Sequence, residues 1–291
     1  MTDAARGHLA MLVFSALVAG SFPLGAAAAN DISPLALNTV RFIVAAAIIG
    51  AIVAARGGVP RAALAAPWRY GVLGAIFAVY FVLMFEGLKT AAPVSAAAVF
   101  TLTPVLAAGF GWLLLRQRTT ARIWAALGLG ALGALWVIFR ADLGALLAFE
   151  VGRGEGVYFL GCLAHAVYTP LVRRLNRGES ALVFTFGTLI AGAVVMGVVG
   201  APALLAVAWD DLPVRVWVAI LYTAVAASAA TFVLLQFATL RLPASKVMAY
   251  TYLVPAWVTV WGLALGSPAP PLNILVGVAL TVLALLLLLR E

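Results

Sequence analysis

Charge is scarce in this sequence. Across 291 residues, Asp, Glu, Lys and Arg together make up 10%, too little to cover the surface of a water-soluble domain of that length. There is one cysteine, Cys162, so no internal disulfide can staple the chain. With His8 and His165 as the only histidines, the side chains for a structural zinc site are missing, and neither a metal nor another cofactor is expected. No GxxxxGK followed by Ser or Thr occurs, which argues against an ATP-driven pump. An integral-membrane enzyme would need convergent carboxylates or histidines, and of ten acidic residues Glu86 alone falls inside an apolar run. A channel would need a filter or a ring of like charges, and no segment has either pattern.

What the chain has in abundance is hydrocarbon: 65% of its residues are apolar. Runs of about 20 apolar residues, the length that crosses a hydrocarbon core of roughly 30 Å as a helix, recur from end to end. Hydropathy and Pro/Gly punctuation place spans near residues 9 to 29, 34 to 55, 69 to 88, 93 to 115 and 121 to 139. A second set lies near 156 to 175, 180 to 200, 214 to 240, 244 to 265 and 272 to 290. The expected fold is all-α and integral to the membrane, with ten transmembrane helices.

The net charge of +8 does not point to nucleic acid, because the basic residues sit in short loops and not along one face. Arg6, Arg56, Arg61, Arg69, Arg116, Arg118, Arg122, Arg173, Arg174, Arg177, Arg241, Lys246 and Arg290 fall on one side, against Lys89, Arg140, Arg153 and Arg215 on the other. By the positive-inside rule both termini are cytoplasmic and the chain belongs in the inner membrane, with lipid as its solvent. Arg6, the apolar run from Leu9 and the small residues Ala27 and Ala29 resemble a cleaved signal peptide. The run is long for one, and its loss would leave an odd number of spans, so it is read as the first span. Trp68, Trp124, Trp136, Trp209 and Trp217 flank spans as interfacial anchors.

The halves look like copies. Sliding the chain along itself superposes Arg6-Gly7 on Arg153-Gly154, Ala19 on Ala166, Pro23-Leu24 on Pro170-Leu171 and Gly50 on Gly197. A slightly longer offset matches Leu102, Pro104 and Gly111 with Leu253, Pro255 and Gly262. Five spans per copy, an odd number, make the second copy enter from the opposite side, giving an inverted repeat: residues 1–140, a linker 141–154, and residues 155–291. Pro23, Pro104, Pro170 and Pro255 fall inside equivalent spans, as kinks or hinges. Gly262 and Gly266 form a GxxxG pair suited to helix packing.

Ionisable groups inside a bilayer are costly and therefore candidates for function. Glu86 is three residues from Lys89 on one helix face, as an ion pair or a gate. Arg41 either snorkels or caps a carboxylate. His165 shares a face with Tyr168 beside Pro170, and its near-neutral titration makes proton coupling conceivable. A pocket for a small metabolite needs apolar walls and a few orienting polar groups. Phe77, Tyr80, Phe81, Met84, Ser95 and Phe100 in the third and fourth spans, and Tyr222, Gln236, Lys246 and Tyr250 in the eighth and ninth, supply them.

Three stretches carry a family resemblance: Pro34 through Arg41-Phe42; Gly87-Leu88-Lys89-Thr90-Ala91 through Leu102-Thr103-Pro104-Val105; and Leu240-Arg241-Leu242-Pro243-Ala244-Ser245-Lys246 through Leu253-Val254-Pro255. Together they resemble the ten-helix, EamA-type members of the drug/metabolite transporter superfamily, the aromatic amino acid exporters among them. The likeness covers nearly the whole chain. Where many members carry Glu-Arg after the fourth and ninth spans, this chain has Gln117-Arg118 and Gly266-Ser267, so a mechanism relying on that acid is in doubt. The resemblance implies a secondary transporter exporting a small molecule; the inverted repeat suits alternating access, and a monomer is expected. Amino acids are the leading class, with nucleosides, sugars and cationic compounds as alternatives.

Overall fold

The computed structural model describes residues 2–117, 120–148 and 150–289. Arg118 and Arg290, both counted above as topology charges, lie outside the described residues. Lipid offers no hydrogen-bond partners, so an apolar chain must satisfy its backbone within helices. Nine helices among the described residues are long and apolar enough to cross a membrane: α1 Asp3–Ala28, α2 Pro34–Ala55, α3 Trp68–Gly87, α4 Pro93–Leu115, α5 Ala121–Ile138, α7 Ala181–Val199, α8 Val214–Thr239, α9 Ala244–Ala264 and α10 Leu272–Leu289. Between α5 and α7 runs α6, Arg153–Leu175, of similar length but less apolar because it carries Glu155, Tyr158, His165, Tyr168 and Pro170.

Helix starts follow local chemistry. Pro opens α2 and α4, where a missing N–H costs nothing. Thr120 and Ser180 cap α5 and α7 by accepting from the N–H of Ile123 and Val183. The stretch expected as a linker, 141–154, holds a short helix, Leu143–Leu147, capped by Asp142, and its last two residues, Arg153 and Gly154, open α6. Gly266 lies past the end of α9 with φ +82°, so it serves the helix terminus and not a GxxxG packing face.

The helices pack as α3 on α6, α1 on α8, α2 on α7 and α5 on α10. Small residues let backbones touch. A Cβ on Gly87 would stand 2.6 Å from the Gly154 carbonyl oxygen, and across α5 and α10 a Cβ on either Gly133 or Gly277 would stand 2.7 Å from the other's carbonyl oxygen. Outward, large apolar side chains such as Leu132 (63% exposed) and Val198 (73%) form a surface that water would not tolerate but acyl chains would.

Three of the four intrahelical prolines sit at real interruptions. α1 breaks at Gly20, three residues before Pro23. α4 breaks at Thr101-Leu102 before Pro104, and Thr103 Oγ1 donates to the Phe100 carbonyl that Pro104 leaves unpaired. α9 tightens to a 3-10 turn, Tyr250–Leu253, before Pro255. The α4 and α9 breaks meet, with the Thr103 and Thr251 hydroxyls 3.3 Å apart. At Pro170, by contrast, α6 runs on without an interruption. A break without a proline lies in α8, where Val225–Ala230 forms a π-helical turn.

Candidate substrate site

One face of α6 carries Glu155, Tyr158, Cys162, His165 and Thr169, all buried and spaced three or four apart, so they form a stripe about 21 Å long. The stripe lies against α3, whose Phe77, Tyr80 and Phe81 share the opposing face. Ser95 at the start of α4 donates to Glu155 Oε1 at 2.7 Å. One turn further along, the hydroxyls of Tyr158 and Tyr80 lie 3.1 Å apart. His165 is wrapped in rings: stacked on Phe77 at 5.3 Å, and edge-on to Tyr80 at 4.5 Å and Phe100 at 5.1 Å. Its Nδ1 is buried with no hydrogen-bond partner among the described residues. Beyond it, the Tyr168 ring lies 3.8 Å from Phe77, and its hydroxyl accepts from Gln236 Nε2 at 3.0 Å. Gln236 Oε1 is likewise left unpaired among the described residues.

Phe77, Tyr80, Phe81 and His165, closed by Phe14 from α1 and Phe232 from α8, enclose a cavity of about 10 Å³, room for a single water. Contacts at both ends hold this closed shape. At one end the α3–α6 glycine contact and the Arg215–Asp31 pair at 2.6 Å join neighbouring helices, while the Lys89–Glu86 pair at 2.6 Å lies within the end of α3. The hydrogen bonds from Arg215 hold the Asp31 carboxyl below the usual carboxylate range. At the other end Arg69 donates to Glu179 at 2.6 Å, and the Ala244 N–H donates to Gln117 Oε1 at 3.4 Å, joining the end of α4 to the start of α9.

Arg41 neither snorkels nor meets a carboxylate. It is fully buried, donating to the Ala227 carbonyl and Ser228 Oγ at 2.6 Å each, with Asn38 Oδ1 at 3.4 Å and its guanidinium 3.7 Å over the Phe81 ring. Its acceptors belong to the π turn of α8, where irregular backbone exposes a carbonyl that a regular helix would have used.

The structure gathers Phe77, Tyr80, Phe81, Phe100, His165, Tyr168 and Gln236 around one centre, while Met84 and Ser95 lie toward the Lys89 end. It does not bring in the others. Tyr222 donates to the Leu17 carbonyl and packs on Trp261, at the α1 break. Tyr250, near Lys246 in sequence, bonds His8 Nδ1 at 3.1 Å on another side of α9. Glu86 is partly exposed and paired with Lys89. Nor is Glu86 alone as an acid within a long helix: Glu155, 5% exposed, joins α6. Glu155 precedes the span expected from residue 156, but the regular Glu155, Tyr158, Cys162, His165 spacing marks it as part of the same helix face.

The composition, the apolar helices and their lipid-like outer surface define an integral membrane protein. The family model for EamA-like transporters matches residues 5–139 and again 152–290, so the chain belongs to the EamA-like transporter family. It is 27% identical over 281 residues to the uncharacterized transporter YyaM of Bacillus subtilis (strain 168), covering 96% of this chain and 92% of that one. A protein of known crystal structure shares the fold, with a TM-score of 0.73 at 23% identity, over 98% of this chain and 96% of its own.

Proposed function

We propose that this chain is a secondary transporter that exports small metabolites, amino acids and aromatic ones among them, by alternating access. The observation that carries this reading is the centre between α3, α6 and α8. It has ring-lined walls and two buried polar atoms, His165 Nδ1 and Gln236 Oε1, without partners among the described residues. An unsatisfied buried polar group costs about 1–3 kcal/mol, and a substrate that fills the centre would satisfy both. Flat apolar walls suit an aromatic side chain, and the polar atoms suit an amino or carboxyl group.

The helices are read as two inverted five-helix repeats, 1–140 and 155–291, within the inner membrane and with cytoplasmic termini. The packing supports this: exchanging each helix with the one five places along maps the α3–α6 contact onto α8–α1, and α2–α7 and α5–α10 onto themselves. Repeats related in this way can swap conformations and so open the site to either side. The closed centre, with room for one water, corresponds to an empty occluded state that widens to admit substrate, and the meeting breaks of α4 and α9 are where the helices bend. The chain works as a monomer.

Proteoliposomes holding the purified protein, loaded with unlabelled amino acid, test the reading. Saturable counterflow of labelled phenylalanine, threonine or methionine, with a sugar excluded, is the expected result. Flux of the sugar alone, or no saturable amino-acid flux, overturns the substrate assignment.

A further inference from the structure

We propose that a groove outside the central site, between α1, α2, α7 and α8, binds an anionic phospholipid. Its acyl chain would lie along the apolar floor and its phosphate at Arg241 and Arg56. The groove has a volume of about 970 Å³. Its walls are aliphatic along α1, α2 and α8, including Val13, Leu17, Ile52 and Val233. It opens sideways, toward lipid: Val13 is 42% exposed, Ile52 38% and Val225 48%.

Its polar groups are confined to one end. Arg56 follows α2, Arg241 follows α8, and Ser180 with the first residues of α7 closes the third side, where a helix N-terminus adds partial positive charge. Among the described residues, no acidic side chain lines the groove. Arg241 is already held in place: its guanidinium lies 3.6 Å over the Phe237 ring and Nη1 donates to the Phe237 carbonyl at 3.0 Å. Its Nε is buried and unpartnered among the described residues. A pre-positioned guanidinium with a free donor favours a phosphate oxygen.

A polar metabolite would gain little from the aliphatic walls, whereas a ligand with a long apolar body and an anionic head matches both parts of the groove. A zwitterionic head would bring a second cation against two arginines. α8 shows its opposite face, through Phe232 and Leu235, and α1 an adjoining face, through Phe14 and Val18, to the central cavity. The lipid therefore backs the same two helices that wall the centre. In the orientation proposed above, it belongs to the cytoplasmic leaflet.

Native mass spectrometry of the delipidated full chain, titrated with dioleoyl phosphatidylglycerol and dioleoyl phosphatidylcholine, tests this. The phosphatidylglycerol is expected to bind roughly tenfold or more tighter, given two arginines at one headgroup. R241Q with R56Q should bring it down to the phosphatidylcholine level, and Val233→Trp, which fills the groove, should weaken both lipids. Equal affinity of the wild-type chain for the two lipids overturns the proposal, and so does an undiminished preference in the double variant. Neither readout depends on the transported substrate.

Discussion

Glu179→Gln is the most informative single change at the closed Glu179 end. Arg69 is 1% exposed at its side chain and Glu179 6%. The guanidinium donates to Glu179 Oε1 at 2.6 Å, to the Leu175 carbonyl at 2.6 Å and to the Ala66 carbonyl at 3.1 Å. The carboxylate thus clasps the start of α3 to the end of α6, and its other oxygen accepts from the Arg177 N–H at 2.6 Å. Neutralising Glu179 leaves a buried cation with only neutral acceptors, which costs about 3–5 kcal/mol. Replacing both partners by Met and Leu removes the charge altogether and should cost far less, so a double-mutant cycle isolates the pair.

Acid provides an independent check. Burial raises the Glu179 carboxyl, but the hydrogen bonds from Arg69 and Arg177 outweigh it and bring the group below its usual 4.5. A depressed carboxyl contributes stability that is complete above the unfolded value and lost as pH falls through the folded one. Unfolding in detergent against denaturant should therefore weaken below about pH 5 in the native chain, and this part of the acid loss should be absent in the Gln variant. A cost under about 1 kcal/mol, the range of an exposed pair, or an unchanged acid limb would refute the argument.

Gly87→Val should destabilise by about 1–3 kcal/mol or more through overpacking on Gly154. Gly71→Ala, on the same helix with open space around its Cβ, should be neutral or stabilising; thermal unfolding compares the two. Cys162, 0% exposed, should resist a maleimide in the folded protein and react fully once denatured. Arg41→Met should free the Ala227 carbonyl and raise hydrogen exchange across 225–230, with α2 itself unchanged. Tyr168→Phe removes the bond from Gln236, costing about 1 kcal/mol, and should alter amino-acid counterflow more than stability.

Helix positions were readable because hydropathy is a local property: a run that must cross lipid has to be helical and about 20 residues long. The third-span aromatics were readable for a similar reason, since Phe77, Tyr80 and Phe81 share a face by spacing alone. The π turn of α8 was not, because Val225–Ala230 contains neither proline nor glycine. What holds that turn open is Arg41, 187 residues from Ser228 in the chain. Which buried polar groups find partners is decided the same way: Glu155 meets Ser95, and His165 Nδ1, set among rings, has no partner among the described residues, because of how α3, α4 and α6 cross.

By itself, then, the sequence determined the solvent, the helices and the residue types available to a site, because transfer to lipid and helical periodicity act residue by residue. The tertiary structure alone decided that Pro170 would not break α6, that Tyr222 and Tyr250 would lie away from the centre, and that a buried arginine would brace a turn instead of meeting an acid. Those outcomes depend on contacts between distant segments, whose energies exist only once the helices have packed.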